Sequence, residues 1–566
     1  MKNQLHFLTL YKISYNCYKI SFSNSKDCLI NILKDVLYDN TVFFNHQLNN
    51  WIIYKKDLDK FLLKHKNVKI TSYLEEKLVN IGSNMKLKPY LYQKEAIQFA
   101  IDTKNALIIL PCGSGKTAIG IGLYLELIKN KIINGKGLIV VKASLKYQWN
   151  KEVEKFSNLK STIIETPSKA KKKFLNQFND SDLFILNYET LKNDEVIKNI
   201  KKMNIEYIFC DEIHYINNHD SDRTKALYKL KDVKIKVGAT ATPITNNPSN
   251  LFGIFNFINE QVFTDWRTFS KNFLRYCGYR KPPKHKNKEK LKQLINPYMF
   301  VKTKEEISDQ LPKITIIEKY IEISNKISEM NENIMNELDE QSKLAESIEN
   351  KLKPSELEND EKFLKCKAKI MALQTFAQEI VDSPKLLLNS ESEMSKKYYV
   401  EEESPKLKEC MTLVSEILDS GEKVCIFTKF ERMQLLLEEE LKKNFKIKIA
   451  KINGSLNSKD RYVEAYDKFR DNDEYKVLLG TDAMSEGVNL TCCKYLIEYE
   501  LANSYAIQTQ RHGRLERADS IHSNVFVYQL IMKDSWDEIQ QKIISKKENY
   551  DFELIKNIES SDINYE

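Results

Sequence analysis

Leu107-Ile108-Ile109-Leu110-Pro111-Cys112-Gly113-Ser114-Gly115-Lys116-Thr117 is the stretch whose reading decides the fold of this 566-residue chain. A short apolar run closing on a small-residue loop predicts a buried parallel strand and a turn whose glycines let backbone N–H groups point inward around phosphate oxygens. Lys116 is then placed to reach the terminal phosphates and Thr117 to hold Mg²⁺ through its hydroxyl. The helix opening at Ala118 aims its positive dipole end at the same anion. Pro111, Cys112, Gly113, Ser114, Gly115, Lys116, Thr117 and Ala118 are therefore candidate ATP-binding residues. Leu110 stands where the usual G-x-x-x-x-G-K-[ST] spelling has its first glycine.

Working outward, Tyr207-Ile208-Phe209-Cys210 is a second apolar run, and it ends in Asp211-Glu212-Ile213-His214. A carboxylate at a strand's end can hold Mg²⁺, and its neighbour can orient an attacking water. An acidic pair alone reads as a solvated strand end. About ninety residues after a phosphate loop, it reads as the second half of one ATPase site.

The length exceeds one core and predicts about three or four units. Charged residues make up 30% and apolar ones 42%, with a net charge of +9, a mild excess compatible with a polyanionic partner. Ten cysteines without C-x-x-C spacing predict reduced core residues and no zinc site. No run approaches about 20 apolar residues and no export signal opens the chain, which predicts a cytoplasmic protein with no membrane contact.

Residues 1–84 precede any ATPase signal and read as a small α+β domain. Strands are expected at Tyr18–Phe22, Thr41–Phe44 and around Trp51-Ile52-Ile53-Tyr54; helices are expected through Leu29, Leu33, Val36 and Leu37 and from Asp57. Residues 85–318 are expected to form the first α/β lobe. In it Gln93, an amide able to read an adenine edge, precedes the phosphate loop, and strands near Val140, Ile185 and Val237 end in Lys142, Asn187 and Gly238-Ala239-Thr240-Ala241-Thr242. An insertion at about 260–300 carries Trp266, Phe269 and Phe273 on one helical face and a basic run from Lys281 to Lys292. That run reads as a solvated face, with phosphate contact as the sharper alternative. Residues 319–400 are expected as a helical protrusion and linker, from Ile327, Met330, Ile334 and Leu338 at helical spacing. From 401 to 566 α/β alternation returns. This second lobe has no phosphate loop, but it carries Gln510-Arg511-His512-Gly513-Arg514-Leu515-Glu516-Arg517. Arg514 and Arg517 lie three apart and are expected on one helix face, where two guanidiniums suit a transferring γ-phosphoryl group. If they complete the site across a cleft, closure and opening follow the ATP cycle, which is a motor geometry.

The order of Gln93, the phosphate loop, Asp211-Glu212-Ile213-His214, Gly238–Thr242 and Gln510–Arg517 resembles helicase superfamily 2. Thr242-Pro243-Ile244-Thr245-Asn246-Asn247, Asn296-Pro297-Tyr298-Met299 and Val525–Leu530 are similar to its Snf2-like branch, and the likeness covers roughly residues 86 to 540. It implies an α/β protein with two RecA-like parallel-sheet lobes, a helical protrusion and a small N-terminal α+β domain, binding ATP and Mg²⁺ and tracking DNA. By that resemblance Lys116, Asp211, Glu212, Gln510, Arg514 and Arg517 are catalytic, and Thr117 and Asp211 hold the metal. His214, Thr240, Thr242 and Gly487 couple the site to DNA. Lys142, Asn187 and Asn489 are the candidate nucleic-acid contacts.

Gly480–Gly487 lacks the double glycine common in chromatin remodelers, and the compact size resembles small bacterial and phage Snf2-like proteins. Trp51–Tyr54 and its flanks resemble the HARP module of annealing helicases. The expectation is a monomeric, DNA-dependent ATPase translocating on duplex, forked or recombination-intermediate DNA through phosphate contacts. The alternatives are a strand-separating DNA or RNA helicase and an ATP-gated DNA clamp that does not move.

Overall fold

The computed structural model describes residues 80–544 apart from 167–176, 179, 242–248, 276–283, 353, 358, 389–392, 485–487 and 518–519, together with Leu78 and five earlier strands. Those strands are β1 (Leu8–Ser14), β2 (Cys17–Phe22), β3 (Val42–Asn45), β4 (Asn50–Tyr54) and β5 (Val68–Ile70). They form one sheet in the order β3-β4-β2-β1-β5. The three strands expected from sequence correspond to β2, β3 and β4; the helices expected through Leu29–Leu37 and from Asp57 lie outside the described residues.

The chain divides into a unit ending at Gln310 and a unit beginning at Leu311. The first unit contains β6 (Asn105–Ile109), β7 (Lys136–Val141), β8 (Ser161–Ile163), β9 (Leu183–Asn187), β10 (Ile205–Asp211) and β11 (Ile235–Thr240). A hairpin of β12 (Leu274–Arg275) and β13 (Lys284–His285) follows, then β14 (Met299–Val301). The large sheet runs β14-β6-β11-β10-β7-β9-β8, parallel throughout. Its inner strands are buried along almost their whole length, which is why they read as continuous apolar runs instead of alternating ones.

A parallel sheet delivers the loops that follow its strands to one edge. Ile109 lies opposite Thr240 and Ala239 opposite Asp211. Two strand spacings therefore separate the loop after β6 from the acid of β10, about 10 Å. The insertion expected at 260–300 holds the helices Trp266–Phe273 and Lys288–Ile295 around the β12–β13 hairpin.

The second unit contains β15 (Lys313–Ile321), β16 (Val424–Phe427), β17 (Lys448–Ile452), β18 (Tyr475–Gly480), β19 (Tyr495–Glu498) and β20 (Asn524–Met532). They form a parallel sheet in the order β15-β20-β19-β16-β18-β17. The boundary expected after residue 318 cuts through β15. That strand pairs with β20 from Lys313↔Asn524 to Ile321↔Met532, so it belongs wholly to the second unit. The expected helical protrusion is the pair Asn325–Glu349 and Glu361–Asp382, and Ile327, Ile334 and Leu338 pack against Leu373, Phe376 and Ile380.

The protrusion's root is unusually ionic. Lys406, with no exposed surface, donates to Asp382 Oδ1 at 2.9 Å and Asp537 Oδ2 at 2.7 Å. Gln378 bridges the same two carboxylates at 3.0 Å each, and Arg432 pairs with the buried Glu379.

Candidate active site

Gly113 and Gly115 have φ of +79° and +73°, which L side chains rarely adopt. They turn the chain out of β6 into the Lys116–Lys129 helix, which opens without a side-chain N-cap. The donors of its first turn therefore suit an anion. Gln93 closes over the loop: its Nε2 donates to the Ser114 carbonyl at 3.0 Å, its Oε1 accepts from Tyr90 N at 2.9 Å, and the Tyr92 hydroxyl donates to the same carbonyl at 2.7 Å. A Cβ on Gly115 would lie 2.5 Å from Gln93 Nε2, so this contact requires the glycine. Gln93 thus shapes the loop through its backbone. Ser114 donates to Pro111 O at 2.7 Å, and the Lys116 ammonium donates to the Leu110 and Pro111 carbonyls at 3.2 Å each. Cys112 and Thr117 are half-buried; Ala118 is buried.

Asp211 ends β10 with 7% of its surface exposed. Its Oδ2 accepts from Trp149 Nε1 at 2.9 Å and its Oδ1 from Glu212 N at 3.0 Å, while the Tyr188 hydroxyl donates to its carbonyl at 2.8 Å. Burial, then the adjoining Glu212 charge, push the Asp211 carboxyl upward against Lys116 and the Trp149 hydrogen bond. Burial would also raise Glu212, but the hydrogen bond and charge of His214, with Lys116 and Lys142, outweigh it and hold that carboxyl far below the usual range. Two adjacent acids are thereby driven apart in acidity. Glu212 itself sits at φ +49°, ψ 52°, left-handed backbone that a non-glycine residue holds only under constraint.

The constraint comes from β11. Gly238 has no side chain where Ile213 packs; a Cβ there would lie 2.3 Å from Ile213 Cδ1. That close approach seats the Ile213–Ile216 turn on the strand. His214 Nδ1 then lies 2.9 Å from Thr240 Oγ1 and 3.2 Å from Glu212 Oε2, and Thr240 Oγ1 donates to the same Glu212 oxygen at 3.4 Å. The acid, the histidine and the strand end form a closed triangle. Thr242 lies outside the described residues.

A triphosphate with a divalent cation fits this donor set. The left-handed glycines, the uncapped helix start, Lys116 and the Thr117 hydroxyl lie on one side, and the Asp211 carboxylate lies two strands away on the same sheet edge.

The candidate nucleic-acid residues are placed less simply. Lys142 is buried, with its ammonium 4.3 Å above the Tyr215 ring. Asn187 Oδ1 accepts from Thr190 N at 2.8 Å and Thr190 Oγ1 at 3.1 Å, shaping its own turn. Asn489 is buried in the second unit, where its Oδ1 accepts from Thr491 N at 3.0 Å; Gly487 lies outside the described residues.

In the second unit the helix carrying Gln510 is Tyr505–His512. It stops at Gly513, so Arg514 and Arg517 stand in the turn beyond it and not on one helix face, correcting the sequence expectation. That turn is pinned by Leu490 N donating to Arg514 O at 3.1 Å and Arg514 Nη1 to Val488 O at 3.5 Å. Gln510 is half-buried. The anchor that sequence reasoning passed over is Arg511. It is fully buried and donates to Asp482 Oδ1 from Nε at 3.0 Å and Nη2 at 2.6 Å, and to Glu500 O at 2.8 Å and Glu498 Oε1 at 3.3 Å. Glu498 also meets His512 Nε2 at 3.3 Å and Gln529 Nε2 at 2.7 Å. Trp149 was likewise passed over; its indole meets an acid 62 positions later.

The profile of the SNF2-related domain matches residues 92–386, and that of the helicase conserved C-terminal domain matches residues 406–519. An uncharacterized ATP-dependent helicase of Mycoplasma genitalium is 24% identical over 482 residues, covering 84% of this chain and 42% of that protein. The ISWI chromatin-remodeling complex ATPase of Saccharomyces cerevisiae is 23% identical over 479 residues, covering 82% and 40%. The chain thus spans less than half the length of these relatives. Among solved structures, the Pyrococcus furiosus Hef helicase domain is similar in fold, with TM-score 0.51 and 15% identity over 80% of this chain and 98% of that one.

Proposed function

Because the chain belongs to the SNF2-related family of helicase-type proteins, we propose that it is an ATP-dependent translocase acting on duplex, forked or recombination-intermediate DNA, with remodelling or annealing of forks as its outcome. The observation that carries this reading is the Glu212–His214–Thr240 triangle. It ties an acid able to orient a water to the end of β11, so a change at the nucleotide alters a loop on the sheet edge. Lys116 and the first-turn donors would hold the phosphates, and Thr117 and Asp211 would hold Mg²⁺. When bound, a divalent cation would supply neutralisation of the nucleotide's negative charge. Glu212, kept ionised by its cationic neighbours, accepts the hydrogen bond of the attacking water. Arg514 and Arg517, with Gln510 beside them, provide the cationic groups for the γ-phosphoryl; the buried Arg511 supports that role by fixing the turn they occupy.

The test is ATP hydrolysis by the full chain with no nucleic acid, single-stranded DNA, duplex, forked DNA and RNA. Duplex or forked DNA is expected to stimulate strongly. Lys116→Ala abolishes turnover, Arg514→Ala lowers it by about 10³ to 10⁵ while nucleotide binding persists, and His214→Ala lowers DNA-stimulated hydrolysis by a larger factor than basal hydrolysis. Hydrolysis indifferent to duplex DNA would overturn the translocase reading. Stimulation by RNA alone would replace it with an RNA helicase, and DNA retention undiminished in Arg514→Ala with no movement would replace it with a clamp.

A further inference from the structure

The chain's positive charge is concentrated in one stretch of sequence. Between Lys271 and Lys292 there are nine Lys or Arg residues against the single Glu289, a net +8 of the chain's +9, so the other 544 residues are almost neutral. A solvated face on a protein of this composition mixes both signs. This stretch does not.

Its described flanks are anchored. Phe273, Leu274, Leu291 and Ile295 are buried in the core of the first unit. Leu274 pairs with His285 and Arg275 with Lys284 across the hairpin. Lys286 N donates to Phe273 O at 2.9 Å, its ammonium donates to Lys271 O at 3.1 Å, and the Asn287 amide donates to Asn272 O at 2.8 Å. On this framework Lys271, Arg275, Lys286, Lys288 and Lys290 are exposed.

The placement is electrostatically unfavourable for the isolated protein. Lys288 and Lys290 occupy the first turn of the Lys288–Ile295 helix, where the dipole favours anions, and Lys288 and Lys292 repeat the same sign at i,i+4. A polyanion laid on this face relieves both costs at once and releases its own counterions. We propose that the described part of this surface, Lys271, Arg275, Lys286, Lys288 and Lys290, is an accessory phosphate-backbone contact for duplex DNA, separate from the strand-end loops of the ATPase site. The proposal rests on the DNA reading above. The anchored backbone on either side brings the charge-bearing positions onto one surface, and a contact made through phosphates is blind to sequence.

The experiment measures binding of a fluorescent 30-base-pair duplex by the full chain across a salt series, for the wild type, Lys286→Gln/Lys288→Gln/Lys290→Gln, and the matching triple Lys→Arg variant. Loss of three phosphate contacts reduces the log–log salt slope by about 2 to 3 and lowers affinity roughly tenfold or more at moderate salt. The arginine variant keeps both, and hydrolysis without nucleic acid is unchanged in all three. Wild-type binding that the glutamine variant reproduces in affinity and slope overturns this surface and leaves the translocase reading standing. No duplex binding by the wild type overturns both. A loss seen with an RNA duplex and absent with DNA overturns the assignment to DNA.

Discussion

Replacing Trp149 by Phe removes the indole N–H together with the ring edge beyond it, and the two losses have different readouts, which makes it a probe of how Asp211 is held. The indole is 1% exposed, its Nε1 lies 2.9 Å from Asp211 Oδ2, and its ring packs on Phe209 at 5.5 Å between centroids. The far edge of that ring also abuts the phosphate-loop helix, since a Cβ on Gly120 would lie 3.1 Å from Trp149 Cη2. A hydrogen bond to a charged group is worth about 1.5–3 kcal/mol, which corresponds to roughly 10- to 100-fold in an equilibrium. If the bond orients the carboxylate, that loss appears as a rise in the Mg²⁺ concentration needed for half-maximal nucleotide binding. Affinity for metal-free nucleotide stays unchanged. Calorimetric titration with and without Mg²⁺ separates the two, and denaturant unfolding reports the stability change in parallel. Trp149→Ala, which also leaves a cavity, is expected to cost about 3–5 kcal/mol of stability. A Phe variant with lowered stability but wild-type Mg²⁺ dependence would show that Trp149 is only a core residue, and the orienting role would be abandoned.

Three further outcomes are expected. Gly238→Ala brings a methyl within 2.3 Å of Ile213 Cδ1 and 3.0 Å of its Cγ2, costing about 1–3 kcal/mol by overpacking; adding Ile213→Val restores part of it, and thermal melts showing no loss would contradict the close packing described. Lys406→Met strands two buried carboxylates and is expected to cost about 3–5 kcal/mol, most of it regained in Lys406→Met/Asp382→Asn/Asp537→Asn; a single-variant cost no greater than that of a surface lysine would refute the pairing. Burial pushes Glu379 up to about 7, with Arg432 opposing, and Asp382 up to about 6, with Lys406 opposing. Folded values above the unfolded ones mean the native state holds the protons more tightly, so stability is greatest below the unfolded values and falls as pH rises through about 4 to 7. The second unit should therefore melt higher at pH 5.5 than at pH 7.5, by on the order of 1 kcal/mol or more in stability, and a lower midpoint at pH 5.5 would contradict it.

The parts of the site legible in the sequence are those whose chemistry is local. A strand, two left-handed glycines, a lysine and a helix start occupy consecutive positions, and so do a strand and the two acids at its end, so residue type and order suffice. The turn after Gly513 was less legible. Three-residue spacing places Arg514 and Arg517 together only if the helix continues, and the glycine between them and His512 ends it. β15 was cut by a boundary because as an edge strand it is only half-buried and carries Lys313, Glu318 and Lys319, so its pattern lacks the apolar continuity of its neighbours. Buried cations such as Lys142, Lys406 and Arg511 could not be recognised, since each is tolerated only through partners distant in the chain. Asp382, Asp537, Asp482 and Glu498 become partners only once the sheet is assembled. The same holds for Trp149, whose sole local signal was an apolar helical position.

The left-handed backbone at Glu212 sets two opposed effects on one residue. At that torsion glycine loses nothing sterically and asparagine little, whereas glutamate is strained there. The carboxylate's contacts with His214 and Thr240 act in the other direction. Glu212→Gly relieves the torsion and forfeits those contacts in a single change, so a library sorted only for survival on heating would reveal by its choice at position 212 which of the two is larger.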